Sequence, residues 1–323
     1  MSIAMIDRRI DSPAAWTGST VGPDAGRLVL DPACLAEIET VAATLRANPL
    51  PVLALSPADF ELAHCRRVAA RLKMTLENGP GFAIVDRLPL DRLGRAEAIA
   101  AFWLLSSLIA RPVAQKWDGT MVYDVRDLGR PPGNGVRPDI TNAEQSFHTD
   151  NSYNVCAPEH VGLLCLHPAM EGGVSRIVSL LETHNEMRQR YPELLPRLYQ
   201  PFFFDRQREH AHDDAKVIEH PIFELDEGRL TGRLSRFQVK NGQALAGVEL
   251  DAAGLVALDA LDTIMARQDM TVDFHFEAGQ MQFLNNRQIA HKRTGFRDWP
   301  EHDRKRHLVR LWLRDRGRAF YNG

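Results

Sequence analysis

The chain has 323 residues, 44% of them hydrophobic and 25% charged, with a formal charge of −3. These are the proportions of a globular protein long enough to bury a sizeable core without covalent staples. A balance so near neutrality offers no broad basic surface for nucleic acid or an anionic membrane, so neither is expected as a partner.

Residues 1–10 lack an apolar signal core, and no apolar run reaches the ~18 residues of a membrane span. A cytoplasmic protein is expected. The cysteines, Cys34, Cys65, Cys156 and Cys165, form no C-x-x-C pair and read as incidental thiols in a reducing compartment. Asp31-Pro32 opens a helix running to about Ala47. Ser56-Pro57 opens a second, which stops at Asn78-Gly79-Pro80. A short strand follows over 81–86, and Asp91 caps a third helix that ends before Pro112. Residues 1–115 are therefore mostly helical.

Beyond Lys116 the pattern changes to short strands. They are expected near 121–125, 144–150, 161–166, 174–179, 201–205, 217–223, 230–237, 271–276, 280–285 and 306–313. A loop over 130–137 (RPPGNGVR) has the composition of a lid. Helical inserts occupy roughly 180–199 and 251–267. Many short strands with turns between them predict an α+β fold whose mainly β core is a sandwich or jelly roll, with helices packed outside. No linker divides the chain, so residues 1–323 read as a single domain. Phe202-Phe203-Phe204 reads as barrel core, not as an aromatic cage.

Two imidazoles and one carboxylate can hold a ferrous ion on one face and leave positions open. The H-x-[D/E] candidates weighed are His148-x-Asp150, His184-x-Glu186 and His212-x-Asp214. Residues i and i+2 point the same way on a strand but diverge by about 200° on a helix. His184 and Glu186 fall in a helical pattern and are set aside. His212 and Asp214 lie in a polar run, where His210 and His212 suit only adventitious zinc. His148 and Asp150 follow the lid loop and precede an apolar strand. Far downstream, His291 follows the 280–285 strand and an Asn-Asn-Arg turn, and can supply the second imidazole.

The arginines give an independent argument. If 306–313 is a strand, Arg306, Leu308, Arg310 and Trp312 share one face, and His307, Val309, Leu311 and Leu313 the other. Bulky apolar groups on both faces make the strand central. A guanidinium there needs an anion, either an internal acid or a bound carboxylate that matches its fork. Gly172-Gly173 makes a tight turn, and Ser175 offers a hydroxyl where the next strand begins.

Together His148-x-Asp150, Gly172-Gly173-x-Ser175, Asn285-Asn286-Arg287 leading to His291, and Arg306-x-x-x-Arg310 resemble, in order, the taurine dioxygenase and clavaminate synthase-like family of oxygenases. The resemblance covers residue 79 to the C-terminus. It implies a double-stranded β-helix (jelly roll) with flanking helices. It also implies Fe(II) on His148, Asp150 and His291, 2-oxoglutarate on Ser175 and Arg306, and dioxygen as the third reactant. Ser175 stands where many relatives have threonine. The spacing from His291 leaves Arg304 or Arg310 as alternative anchors. Asp150, in place of glycine or alanine, argues against the halogenating variants. The implied reaction oxidises a C–H bond of a small polar molecule, most often by hydroxylation, and releases succinate and carbon dioxide. Desaturation and cyclisation share that chemistry. No catalytic side chain beyond the metal ligands is required.

Phe147, Asn151 and Tyr153 are candidates for the substrate wall, with Asn154 and Arg310 beside them. Two other classes compete: a cupin-like metal enzyme that does not use 2-oxoglutarate, and a catalytically silent ligand-binding protein. Ser175 and Arg306 speak against the first. A homo-oligomer is compatible with the sequence.

Overall fold

In the computed structural model, residues 5–131 and 136–321 are described, and alternating side chains along four strands organise them. Ala83, Val85, Leu164, Leu166, Met281, Phe283, Val309, Leu311 and Leu313 pack against the N-terminal helices. Their neighbours Phe82, Ile84, Cys165, Leu284 and Leu308 point the other way and meet Ile177, Phe274 and Ile289. Period-two patterning with both faces apolar marks a sheet covered on both sides.

That sheet runs in the order Arg27–Val29, Phe82–Asp86, Met281–Asn285, His160–His167, His307–Leu313 and Pro112–Val113, with Tyr123–Val125 also paired to His307–Leu313. The first pair is parallel and the remaining pairs are antiparallel. A second antiparallel sheet, Thr271–Phe274, Ser175–Ser179 and Ile289–Arg293, faces it. The two enclose a jelly-roll interior. Helices Leu180–Arg190 and Ala252–Met265 cover the outside of the smaller sheet, where Val178 and Ala290 meet Leu180, Leu258, Leu261 and Met265.

The first helix is Pro32–Ala47, with the Asp31 side chain accepting from the Cys34 N–H at 2.9 Å. The second departs from expectation. Ser56-Pro57 yields only a single 3-10 turn, Pro57–Asp59, and the helix proper is Ala63–Asn78. Its cap comes from another element: the Glu37 carboxylate accepts the N–H groups of His64 and Cys65, each at 2.8 Å. The Cys34 and Cys65 thiols, both free, meet at 3.0 Å where the two helices cross. The third helix is Arg95–Ser107, starting after Gly94 and not at Asp91.

Four other expectations are corrected. Residues 144–150 form no strand, since His148 makes isolated bridges to Ser235 and His291. The 217–223 stretch divides into Val217–His220 and Phe223–Asp226. The 230–237 stretch ends as a strand at Gly232, and Ser235 caps a helix, Arg236–Ala246. Gly242 permits that helix to rest on the Phe202–Asp205 strand, because a Cβ there would stand 2.3 Å from the Phe203 carbonyl oxygen. Phe202 and Phe204 are fully buried, but in the core behind the smaller sheet and not in the barrel. Residues 132–135 of the expected lid lie outside the described residues. No helix among the described residues is long and apolar enough to cross a membrane.

Candidate active site

His148 and His291 are brought together by backbone pairing. Each donates its N–H to the other's carbonyl, at 3.0 and 2.9 Å, so the imidazoles lie side by side with ring centroids 4.4 Å apart. Asp150 follows two residues after His148 in a turn, with its backbone clamped by Asn286. Asn286 Oδ1 accepts the Asp150 N–H at 2.7 Å, while its Nδ2 donates to the carbonyls of Asp150 and Pro158 at 2.9 and 3.1 Å. Both His-Nε2 atoms face one carboxylate oxygen, Asp150 Oδ1, at 3.5 and 3.7 Å. Donors on adjacent positions of one ion need to stand roughly 3 Å apart. These three side chains, all with ligand atoms within 4.8 Å of one another, are the potential metal-holding group found among the described residues.

The hydrogen bonds around the three fit a metal. His148 Nδ1 faces the Ser146 carbonyl at 2.8 Å, which places the proton there and leaves Nε2 as a lone pair. Asp150 divides its oxygens. Oδ2 accepts from Trp312 Nε1 at 2.6 Å and lies 3.3 Å from an Arg310 nitrogen, whereas Oδ1 faces the imidazoles. Burial disfavours the Asp150 charge, but Arg310, with His148 and His291, overrides it and holds the carboxyl well below its ordinary range. Burial, helped by repulsion from His148, pulls His291 down to about 3, so its ring is neutral at physiological pH, the form that can bind a metal.

Arg310 is held within this cluster. Its Nε donates to Gln115 Oε1 at 2.8 Å, and its fork spans Asp150 and Asp139 at 3.3 and 3.5 Å. Burial opposes its charge, yet Asp150, Asp139 and the tyrosines Tyr123 and Tyr153 raise its pKa above the usual value.

Arg306 lies elsewhere in the barrel, 4% exposed, and its guanidinium donates to no acceptor among the described residues; Nη1 is buried and unpaired. Burial draws its pKa down to about 10, against weak support from Cys165 and Asp298. A small cavity of about 160 Å³ adjoins it, lined by Gly172, Gly173, His275 and Phe276. Gly173 is required there: its φ is +64°, and a Cβ would stand 3.2 Å from Arg306 Nε. Ser175 donates to Gln282 Oε1 at 2.8 Å, across the barrel. Arg304 stands at the surface, stacked on Trp299 and 3.7 Å from Glu301, and is not an anchor.

Phe147, Asn151 and Tyr153 line a cleft of about 270 Å³ that opens onto His148 and Asp150, together with Arg137 and Gln238. Asn154 does not. It is fully buried behind the cleft, where it accepts from Arg206 at 3.2 Å. The two decoys separate as expected. His184 is buried against Tyr199, whose hydroxyl it meets at 2.7 Å, while Glu186 turns to Arg190 and Arg267. Asp214 pairs with Arg206 at 2.7 Å.

Sequence reasoning placed Trp312 on the same strand face as Arg306 and Arg310, and Asn286 in a motif, but gave neither a role. It passed over Asp139, Gln115 and Arg293. For Arg293 a signal existed: it stands two residues beyond His291.

A family model described as "Taurine catabolism dioxygenase TauD, TfdA family" matches residues 48–312. The chain belongs to this family, and is a non-haem iron, 2-oxoglutarate-dependent oxygenase. The cupin-like alternative is thereby set aside. FR-33289 synthase of Streptomyces rubellomurinus is 28% identical over 326 residues, covering 98% of this chain and 94% of that protein. An asparagine oxygenase solved with Fe(II), 2S,3S-3-hydroxyasparagine and succinate has the same fold (TM-score 0.66, 19% identity, 90% of this chain and 94% of that one). So has the non-heme iron oxygenase OrfP solved with Fe and alpha-ketoglutaric acid (TM-score 0.64, 16% identity, the same coverage).

Proposed function

We propose that His148 Nε2, Asp150 Oδ1 and His291 Nε2 hold the Fe(II), that Arg306 and Ser175 receive the distal carboxylate of 2-oxoglutarate, and that the cleft presents a small polar substrate, of amino-acid size and polarity, for hydroxylation. The observation that carries this reading is the division of Asp150. One oxygen is committed to Trp312 and Arg310, and the other is left to the two bare imidazole nitrogens.

When bound, Fe(II) with 2-oxoglutarate and dioxygen supplies the oxidising power that puts oxygen into a C–H bond, with succinate and carbon dioxide released. The chain orients and neutralises. Ser146 fixes the His148 tautomer, Asn286 fixes the backbone of Asp150, and Trp312 and Arg310 keep its carboxylate charged and in one rotamer. Arg306 supplies a buried cation whose guanidinium has no acceptor among the described residues, the complement of a carboxylate that arrives with the co-substrate. No proton transfer needs a side chain, so none is assigned as a general base.

Asn151, Tyr153, Arg137 and Gln238 give the cleft a polar wall on the metal's side. The asparagine oxygenase and OrfP were solved with hydroxylated amino acids, which supports a free amino acid or a compound of like polarity as the substrate, met in the cytoplasm. The test is Fe(II)-dependent succinate formation across a panel of amino acids and related small acids. A substrate of this class should raise succinate release above the substrate-free rate and gain one oxygen atom by mass. Stimulation confined to large apolar compounds would contradict the reading.

A further inference from the structure

Arg293 stands two residues beyond His291 on the strand Ile289–Arg293, so both side chains leave the same face. Its cross-strand partner is Ser175, and paired residues in an antiparallel sheet share a face. Ser175 in turn reaches Gln282 on the facing sheet, which fixes the direction as inward. Arg293 is 5% exposed, and among the described residues neither it nor Arg306 has a carboxylate at ion-pairing distance. One Arg293 nitrogen donates to the carbonyls of Ala143 and Pro138, while Nε and Nη1 are buried with no acceptor. Both guanidiniums lie over the ring of Phe296, at 4.7 and 5.1 Å from its centroid.

Arg314 shows the contrast. It is as deeply buried, yet its fork is taken up by the carbonyls of Cys156, Arg316, Arg318 and Phe320. Two buried like charges with open donors, and with carboxylates only beyond ion-pairing distance (Asp139 and Asp127 for Arg293, Asp298 for Arg306), are costly unless an anion joins them. Residues i and i+2 on one strand face stand about 6.6 Å apart along the chain, comparable with the length of a short dicarboxylic keto acid. A co-substrate held at one end by a metal on His291 therefore has its other end level with Arg293.

We propose that Arg293 is a second cationic anchor for the distal carboxylate of 2-oxoglutarate, acting with Arg306 and Ser175. This rests on the reading above that Arg306 receives that carboxylate. Two guanidiniums make the site selective for a dianion over a monoanionic keto acid. The competing role for Arg293 is a strut for residues 138–143, which lead to His148.

The experiment titrates 2-oxoglutarate and pyruvate into the anaerobic Fe(II) protein, reading the metal-to-ligand charge-transfer absorption. Arg293→Gln should weaken 2-oxoglutarate about 10–100-fold, with Fe(II) and pyruvate affinities within about twofold of the parent. The preference for 2-oxoglutarate over pyruvate then shrinks in both Arg293→Gln and Arg306→Gln. Equal weakening of both keto acids in Arg293→Gln, or none, would make Arg293 a strut and overturn the proposal, with Arg306 unaffected. An intact preference in Arg306→Gln would instead overturn the underlying reading. Arg293→Lys keeps the charge but loses the fork, and serves if the glutamine variant does not fold. An undiminished preference there also overturns the proposal.

Discussion

Asn286→Ala is the most informative single change outside the proposed metal ligands. Asn286 is 1% exposed and its amide makes three hydrogen bonds, two of them to the backbone of Asp150. Truncation leaves the Asp150 N–H and the carbonyls of Asp150 and Pro158 without partners in a dry interior. At about 1–3 kcal/mol per orphaned group, partly relieved by relaxation, the loss is roughly 3–6 kcal/mol out of a typical ~5–15 kcal/mol. The same change frees Asp150 to leave the orientation in which Oδ1 faces both imidazoles, so Fe(II) affinity should fall about 10–100-fold. Urea unfolding gives the first number and anaerobic Fe(II) titration the second. Asn285→Ala is the control. Its amide bonds Leu76, Gln288 and Arg287 and touches no ligand, so it should cost stability while sparing iron. Equal iron affinity in Asn286→Ala and the parent, or equal loss in both variants, would refute the clamp.

Trp312→Phe removes the hydrogen bond to Asp150 Oδ2 and keeps an aromatic body. It should weaken Fe(II) about tenfold, measured by the same titration, with a smaller loss of stability. Gly173→Ala places a Cβ against Arg306 at a positive φ. It should raise the 2-oxoglutarate requirement severalfold in a succinate assay without changing Fe(II) affinity. Burial holds His184 down to about 4 in the folded protein, against an ordinary ~6.5 when unfolded. Between those values the unfolded state binds the extra proton. Stability contributed by keeping His184 neutral is therefore present above pH ~6.5 and falls with decreasing pH, by up to about 1.4 kcal/mol per unit, until the folded group titrates. His184→Phe should flatten the dependence of urea stability on pH across that window. An unchanged slope would show that other groups set it.

The barrel was legible because its strands have two apolar faces. The alternation that puts Arg306, Leu308, Arg310 and Trp312 on one side of the last strand is the partition the structure has, with Val309, Leu311 and Leu313 against the helices. His148, Asp150 and His291 were legible as residue types at a spacing, though not for the reason given. They meet through a single bridge and a turn, not along a strand. The cap that Glu37 supplies to the second helix, and the helix Arg236–Ala246 carrying Gly242 against Phe203, depend on contacts between elements that local pattern does not encode. The same holds for Asn286 and Trp312, whose roles exist only once Asp150 is beside them. Arg304 and Arg306 look alike in sequence. Only the fold puts one on Trp299 at the surface and the other in the barrel.

The most direct test adds Fe(II) and 2-oxoglutarate to the protein under anaerobic conditions and records the visible spectrum. A charge-transfer band should form in the parent and be absent in Asp150→Ala and His291→Ala, while His184→Phe retains it. A folded, iron-loaded parent without the band, or an Asp150→Ala protein that keeps it, would contradict the assignment of the metal centre.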